Sequence, residues 1–357
     1  MSKYMVLKQI KYQGFRNLVD AEIAFAEDLN YIIGDNGAGK TNLLEAIFYA
    51  GNASSFREND DRSLVRFDAQ FFRVEAQAEG DKNAAVYFDS ERKKMILGGN
   101  RVSRISDFIG WLGVTIISID DIWIVRGAPS KRRAFLDWMI AKISPAYAAD
   151  LAEYRKIVRQ RNRYLQSYNE NGRERLFEVL DERLIEIGNE IYKKREAKLP
   201  ELRRRFAEFG ENFGTKKFDL DYQSDCANMR LDNDMLKRVR SREIALGQTV
   251  IGPHRDDLLF SIDGRSMQHY ASEGEERAAS ISLKLAEAEI LYHSRGNRPI
   301  LLLDEVSAEL DRQKREILLG LLKGQVFYAS TQLPEQKAET GKDCRTFHIE
   351  GGMIEIS

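Results

Sequence analysis

Leu29-Asn30-Tyr31-Ile32-Ile33-Gly34-Asp35-Asn36-Gly37-Ala38-Gly39-Lys40-Thr41-Asn42-Leu43-Leu44 is the stretch on which the reading of this 357-residue chain turns. An apolar run, Leu29 to Ile33, reads as a buried strand and stops at Gly34. From Asn42 to Ala50 a helix is expected, with Leu43, Leu44, Ile47 and Phe48 on one face. Between them, residues 34–41 match GxxxxGK[ST]. In that pattern Gly34, Gly37 and Gly39 let backbone N–H groups converge on phosphates, with Asp35, Asn36 and Ala38 completing the cradle. Lys40 reaches the β/γ oxygens, the Thr41 hydroxyl can ligate Mg²⁺, and the helix N-terminus adds a positive dipole. A glycine-rich turn is the plainer alternative, and the flanking strand and helix weigh against it.

Working outward, Val6, Lys8, Ile10 and Tyr12 alternate, and strands are expected again at 23–25, 71–76 and 84–88. Gly98-Gly99-Asn100 reads as a hairpin turn. From Pro129 the texture is helical, with Ser130 as an N-cap, Pro145 opening the next helix and Pro200 interrupting a later one. Leu176, Leu180, Leu184, Ile187 and Ile191 make an apolar stripe of the kind that packs a helical subdomain. Strand patterning returns at Leu258 to Ile262, followed by an Asp263-Gly264 turn and a helix from Glu273 to His293.

Near the C-terminus, Ile300-Leu301-Leu302-Leu303-Asp304-Glu305 delivers two carboxylates to the end of a buried strand. Asp304 is suited to hold Mg²⁺, and Glu305 to orient and deprotonate an attacking water. Ser307-Ala308-Glu309-Leu310-Asp311 follows at once, and on its own is a turn into a helix. Ser272-Glu273-Gly274-Glu275-Glu276-Arg277 opens the preceding helix, and on its own is an N-cap with acidic residues in the first turn.

Composition narrows the class. Cys226 and Cys344 lack a CxxC partner, which argues against a disulfide framework or zinc site. Lys3, Lys8 and Gln9 break any apolar core at the N-terminus, and no run approaches a membrane span, so a cytoplasmic protein is expected. The net charge of −1 hides a split: residues 126–205 hold 20 Lys or Arg against 12 Asp or Glu, so they carry +8 and the remainder −9. Such segregation suggests a polyanion-facing region; solvated helix faces are the competing reading.

Taken in order, these motifs resemble the ABC-type ATPase heads of the SMC-like group and, within it, the RecF family of recombination mediators. Further matching segments are Gly14-Phe15-Arg16-Asn17, Ser55-Phe56-Arg57, 127–133 with Leu136-Asp137, Gly252-Pro253-His254-Arg255-Asp256-Asp257, and 283–287. The resemblance implies an α/β fold, with a P-loop mixed sheet in a head built from 1–125 and 241–357. Residues 126–240 would form an inserted, partly basic helical subdomain. It implies ATP and Mg²⁺ as ligands, weak DNA-stimulated hydrolysis, and an ATP-dependent homodimer. Ser272 and Gly274 of one copy would meet the γ-phosphate bound at Lys40 of the other, with Asp311 at the seam and Arg16 beside the nucleotide. It further implies a role in recombinational repair and replication restart, at duplex and gapped DNA, with RecR and RecO as partners. DNA contacts are expected from Arg132, Arg133, Arg159, Arg161, Arg203, Arg204 and Arg205; each is equally readable as a solvated helix residue. Arg57 is a further candidate for nucleotide or DNA. Two features depart from the pattern: Glu275 stands where the family usually carries Gln, and Thr331 rather than a histidine follows the last buried strand. A P-loop phosphotransferase and a nuclease- or defence-associated head are the competing readings. A kinase has no use for a partner-facing Ser-x-Gly, and no segment is left over for a nuclease module.

Overall fold

The computed structural model describes residues 5–58, 60–167, 174–333 and 343–356, with backbone alone at 174–176, 227, 307 and 308. The side chains of Leu176, Ser307 and Ala308 therefore lie outside the described residues. The chain divides into two compact units, 1–121 with 281–357, and 122–280.

The first unit holds two sheets. One is antiparallel, in the order β2 (Ala21–Ala24), β1 (Leu7–Gln13), β4 (Phe72–Ala78), β5 (Lys82–Phe88), β6 (Lys93–Leu97), β7 (Asn100–Val102). The other is mixed: β3 (Leu29–Ile33), β8 (Val114–Ser118), β12 (Ile300–Asp304), β13 (Val326–Ser330) and β14 (Cys344–Glu350) run parallel, and β15 (Met353–Ile356) closes one edge antiparallel. Its order is β15-β14-β3-β13-β12-β8. Parallel strands must be covered on both faces, hence the unbroken apolar text of β3 and β12. Helix α1 (Lys40–Asn52) packs against strands of both sheets, and every residue from Leu43 to Asn52 is buried. The buried Gln325 carboxamide receives the Leu7 N–H and donates to the carbonyls of Leu7 and Ala26. It thereby satisfies backbone groups about 300 residues away in sequence.

In β1 the expected alternation slips. A register shift between Leu7 and Gln9 leaves Leu7, Ile10 and Tyr12 inside while Lys8 is exposed. An extra residue in a ladder re-aims the side chains beyond it, which a strict period of two does not foresee. The expected hairpin turn is present, with positive φ at Gly98 and Gly99 between β6 and β7.

The second unit carries the helices α4 (Pro129–Ile143), α5 (Pro145–Gln166), α6 (Glu174–Gly210) and α7 (Asn233–Leu246). They pack with the antiparallel sheet β9 (Phe218–Gln223), β10 (Asp257–Ile262) and β11 (Arg265–Ser266). Four expectations change here. Helix α4 begins at Pro129 with Ala128 as its cap, so Ser130 lies inside the first turn, where proline's fixed φ suits N1. Pro200 does not interrupt α6, which runs through it; the ring sits on an exposed position, and the buried Leu199, Leu202 and Phe206 hold the helix on course. The insertion also has its own sheet, because Phe218, Leu220 and Tyr222 alternate on β9, a strand the sequence reading passed over. The unit extends past residue 240, the expected edge of the helical lobe, to Ser280.

Short helices complete the chain: α2 (Ile105–Phe108), α3 (Ile122–Arg126), α8 (Met267–Tyr270) and α10 (Arg312–Leu321). Helix α9 (Glu273–Arg295) begins in the second unit and ends in the first. Among the described residues no helix is long and apolar enough to cross a membrane.

Candidate functional site

The loop 34–39 leaves β3 at Ile33 and feeds directly into α1, as its sequence requires. Gly37 and Gly39 take φ of 80° and 121°, conformations that a residue with a Cβ rarely adopts. Gly34 is needed for a different reason: a Cβ there would stand 2.3 Å from the Ile349 carbonyl oxygen on β14. A second tie comes from the Gly352 N–H, which donates to the Ala38 carbonyl at 2.9 Å. Asp35, Asn36 and Gly37 are exposed, while Ala38 and Gly39 are buried against the sheet.

Lys40 is 3 % exposed, and its ammonium is held inside the loop. It donates to the carbonyls of Gly34 at 2.8 Å and Asp35 at 2.9 Å, and pairs with the Glu305 carboxylate at 3.0 Å. Three oxygens thus meet an ammonium that has three protons. From the next residue, the Thr41 hydroxyl donates to Asp304 at 2.9 Å. The four residues come together because β3 and β12 flank β13 in the same parallel sheet and end on the same side. Glu305 sits just past the end of β12 with φ of 54°, a strained conformation for a non-glycine residue, which turns its carboxylate toward Lys40.

Asp304 is buried, and desolvation pushes its carboxyl up to about 6. The Thr41 hydrogen bond opposes that shift, and the neighbouring Glu305 adds to it. A desolvated carboxylate whose hydrogen-bond partner is a hydroxyl fits a divalent cation that takes oxygen ligands. Among the described residues no cluster of three or more His, Cys, Asp or Glu could hold a metal by itself. That agrees with an ion that takes one carboxylate, one hydroxyl and substrate oxygens. Gly34 to Ala38, Thr331, His348 and Glu350 line a groove of about 770 Å³ beside the loop. A short 3₁₀ helix, Ile119–Asp121, follows β8 at Ser118, the residue in register with Asp304.

Arg16, expected beside the nucleotide, is turned to α1. Its guanidinium pairs with the buried Glu45 at 2.8 and 2.9 Å and donates to the Ser63 carbonyl. Glu45 also accepts from the Ser55 hydroxyl, and Arg57 stands 3.8 Å away. Glu45 escaped the sequence reading, although an acid one turn after Thr41 inside the apolar stripe of α1 was the available signal. Asn17 and Asn42 were missed too. The Asn42 amide donates to Asn17 at 2.7 Å, Asn17 reaches toward the Gly37 carbonyl at 3.4 Å, and Arg57 donates to Asn42 at 3.1 Å.

In the second unit, the Ser272 hydroxyl and N–H both donate to the Glu275 carboxylate, at 3.0 and 2.8 Å, at the start of α9. Lys216 pairs with Glu275 at 2.6 Å and, with the Ser272 donors, holds that carboxyl below its ordinary range. The departure from Gln therefore puts a charged acceptor on Ser272. Gly274 follows in the first turn. In the first unit Asp311 is exposed and caps α10 by accepting the Lys314 N–H at 2.9 Å.

The basic residues sort differently from expectation. Arg161 is fully buried, bonded to Asp181 at 2.9 Å, Glu243 at 2.6 Å and Thr249 at 3.0 Å. Arg132 is 3 % exposed and clamped by Asp257 at 2.6 and 2.7 Å. Neither can face a polyanion, because their positive charge is already matched by interior carboxylates; the sequence shows charges but not their partners. Arg203 is exposed between Asp219 and Asp221. Arg204 and Arg205 share Glu208. Arg133 donates to the Asp256 carbonyl at 2.8 Å and has no ion pair among the described residues, and Arg159 is exposed.

The family model described as RecF/RecN/SMC N terminal domain matches residues 6–333. The DNA replication and repair protein RecF of Bacillus cytotoxicus is 33 % identical over 98 % of this chain and 98 % of its own. A solved structure of the recombination mediator protein RecF with ATP, in the RecFOR pathway, is 31 % identical. It superposes with a TM-score of 0.91 over 100 % of this chain and 99 % of its own. An Smc head bound to the C-winged helix domain of ScpA aligns at TM-score 0.55 and 14 % identity, over 99 % and 97 % of the chains, a likeness of fold alone. The family match over residues 6–333, the identity over nearly the whole chain and the superposition agree, and the chain belongs to the RecF/RecN/SMC family.

Proposed function

We propose that this chain is an ATP-dependent DNA-binding protein of recombinational repair and replication restart. In this reading, a weak, DNA-stimulated ATPase cycle governs pairing of two copies. The observation that carries the reading is the convergence of Lys40 on Glu305 and of Thr41 on Asp304 at the mouth of the phosphate loop. Gly34 to Thr41 cradle the ATP phosphates. Because Lys40 has all three protons engaged, phosphate oxygens compete with Glu305 for it, and binding of substrate frees that carboxylate for water. Glu305 then takes a proton as the water oxygen bonds to the γ-phosphorus and the bond to the β-bridging oxygen breaks, leaving ADP and phosphate. Thr41 and Asp304 would hold Mg²⁺, which when bound neutralises charge on the β- and γ-oxygens.

Ser272 and Gly274, at the start of α9, present a second anion-binding terminus to the γ-phosphate held by another copy, with Asp311 at that seam. ATP is then an interfacial ligand, and pairing follows its concentration by mass action. In this scheme 1–125 with 241–357 act as the head, and 126–240 as a partly basic lobe at duplex and gapped DNA. RecR and RecO are the partners the family relationship suggests.

The test is molar mass by light scattering, with and without ATP and Mg²⁺. ATP should convert monomer to dimer, Ser272→Arg should abolish this while nucleotide still binds, and Glu305→Gln should prolong it. A mass indifferent to ATP in a protein that binds ATP would refute the shared site.

A further inference from the structure

Two carboxylates of the second unit are saturated by buried partners, and this leaves a cationic pocket in front of them. Asp137 accepts from Arg195 at 2.7 Å and from the Tyr147 hydroxyl at 2.6 Å. Asp256 accepts from Tyr222 at 2.5 Å and Tyr192 at 3.3 Å. Arg195 is 1 % exposed, and its remaining protons go to the Tyr147 and Tyr222 hydroxyls and the Pro253 carbonyl. Arg195 also stands 3.7 Å from the Asp256 carboxylate, so one guanidinium serves both acids, and burial pushes the Asp256 carboxyl up toward its neutral form.

The pocket itself encloses about 210 Å³, against about 30 Å³ for one water in the liquid. Ser130, Arg133, Asp137, Tyr154, Arg155 and His254 are among its walls. Arg155 reaches Asp137 only at 3.3 Å, and that carboxylate already serves Arg195 and Tyr147. Arg133 has a carbonyl as its acceptor and no carboxylate within ion-pair distance among the described residues. Burial pulls its proton affinity below the ordinary arginine value; the Asp257 and Asp137 carboxylates oppose that shift, and the guanidinium groups of Arg195 and Arg255 add to it. His254 adds no charge: its ring nitrogens bond Tyr154 and the Thr249 carbonyl, and burial pushes its pKa down to about 4. Like charges gathered around a cavity destabilise it until an anion enters.

We propose that this pocket seats one backbone phosphate of bound DNA, gripped by the guanidinium groups of Arg133 and Arg155 with the Ser130 hydroxyl as a further donor. Guanidinium forks suit a tetrahedral oxyanion with several equivalent oxygens, and such a contact fixes the position of a strand without reading its sequence. The proposal rests on the DNA-binding reading above and narrows it to a built site. That site adds Arg155, which the charge count alone did not single out.

The full chain with ATP is titrated with a fluorescent duplex oligonucleotide at several salt concentrations between about 50 and 200 mM. Arg133→Gln should weaken binding roughly tenfold and make the log affinity against log salt slope shallower by about 1. Ser130→Glu, at an exposed position, should do the same by placing a carboxylate at the mouth, with an unchanged melting curve that rules out misfolding. Arg155→Lys should retain more affinity than Arg155→Ala. If wild type binds duplex and Arg133→Gln and Ser130→Glu match it in affinity and slope, the pocket proposal fails while the DNA reading stands. If wild type does not bind duplex, both fail. Inorganic phosphate is titrated in parallel against thermal unfolding. Saturable protection of wild type but not Arg133→Gln, with DNA affinity unaltered in the variant, would assign the pocket to a free anion and overturn the DNA source.

Discussion

Replacing Asp304 with Asn removes a charge from a buried position while keeping the shape of the side chain and an acceptor for the Thr41 hydroxyl. Burial holds the folded carboxyl at about 6 against 3.8 for an ordinary aspartate. Each unit of difference corresponds to about 1.36 kcal/mol, so ionised Asp304 costs the fold about 3 kcal/mol when no cation is bound. The sign is fixed by linkage. The folded state holds this proton more tightly than the unfolded state, so the penalty is absent below 3.8, grows between 3.8 and about 6, and is complete above. Asp304→Asn should therefore be more stable than wild type in EDTA at pH 7.5, by roughly 6 °C for a unit of this size. The gain should shrink toward nothing near pH 4, while ATP hydrolysis is lost at every pH. Thermal unfolding of both proteins across that pH range measures this directly. A variant less stable than wild type at pH 7.5, or a gain that does not vary with pH, would sink the argument that Asp304 is strained for a ligand.

The same geometry sets three other outcomes. Gly34→Ala forces a Cβ to within 2.3 Å of the Ile349 carbonyl, so it should lower nucleotide affinity and cost about 1–3 kcal/mol of stability; nucleotide titration and a melting curve read both. Arg161→Ala takes the cation from buried Glu243, while Asp181 keeps Arg240, and should cost about 3–5 kcal/mol by urea unfolding. The protein that remains folded should bind DNA as wild type does. Glu45→Gln should loosen Arg16 and Arg57 together; if ATP affinity and hydrolysis stay at the wild-type level, the polar cluster on α1 is purely structural.

The chain's own text carried the phosphate loop because that site is local. Gly34 to Thr41 are contiguous, and the strand before and helix after are written in their apolar periods. Asp304 and Glu305 were legible for the same reason, as the acidic end of an unbroken apolar strand. The two-residue turns at Gly98-Gly99 and Asp263-Gly264 were readable because positive φ restricts the residues that can stand there.

What the sequence could not say is which charges meet. Arg132, Arg161, Arg203 and Arg133 look alike in the text. Yet two are sealed inside by carboxylates 20 to 125 residues away, one lies between two surface aspartates, and one donates to a backbone carbonyl with no ion pair among the described residues. The same holds for Arg16, whose pairing with Glu45 the text does not show, and for Pro200, whose helix is held by packing that overrides a local breaker. Hydrophobic period and turn chemistry act over a few residues and are therefore written in the chain itself. Ion pairing and desolvation depend on distances set only when β3, β13 and β12 close into one sheet in the first unit and α4, α5 and α7 pack in the second, and that step belongs to the tertiary structure.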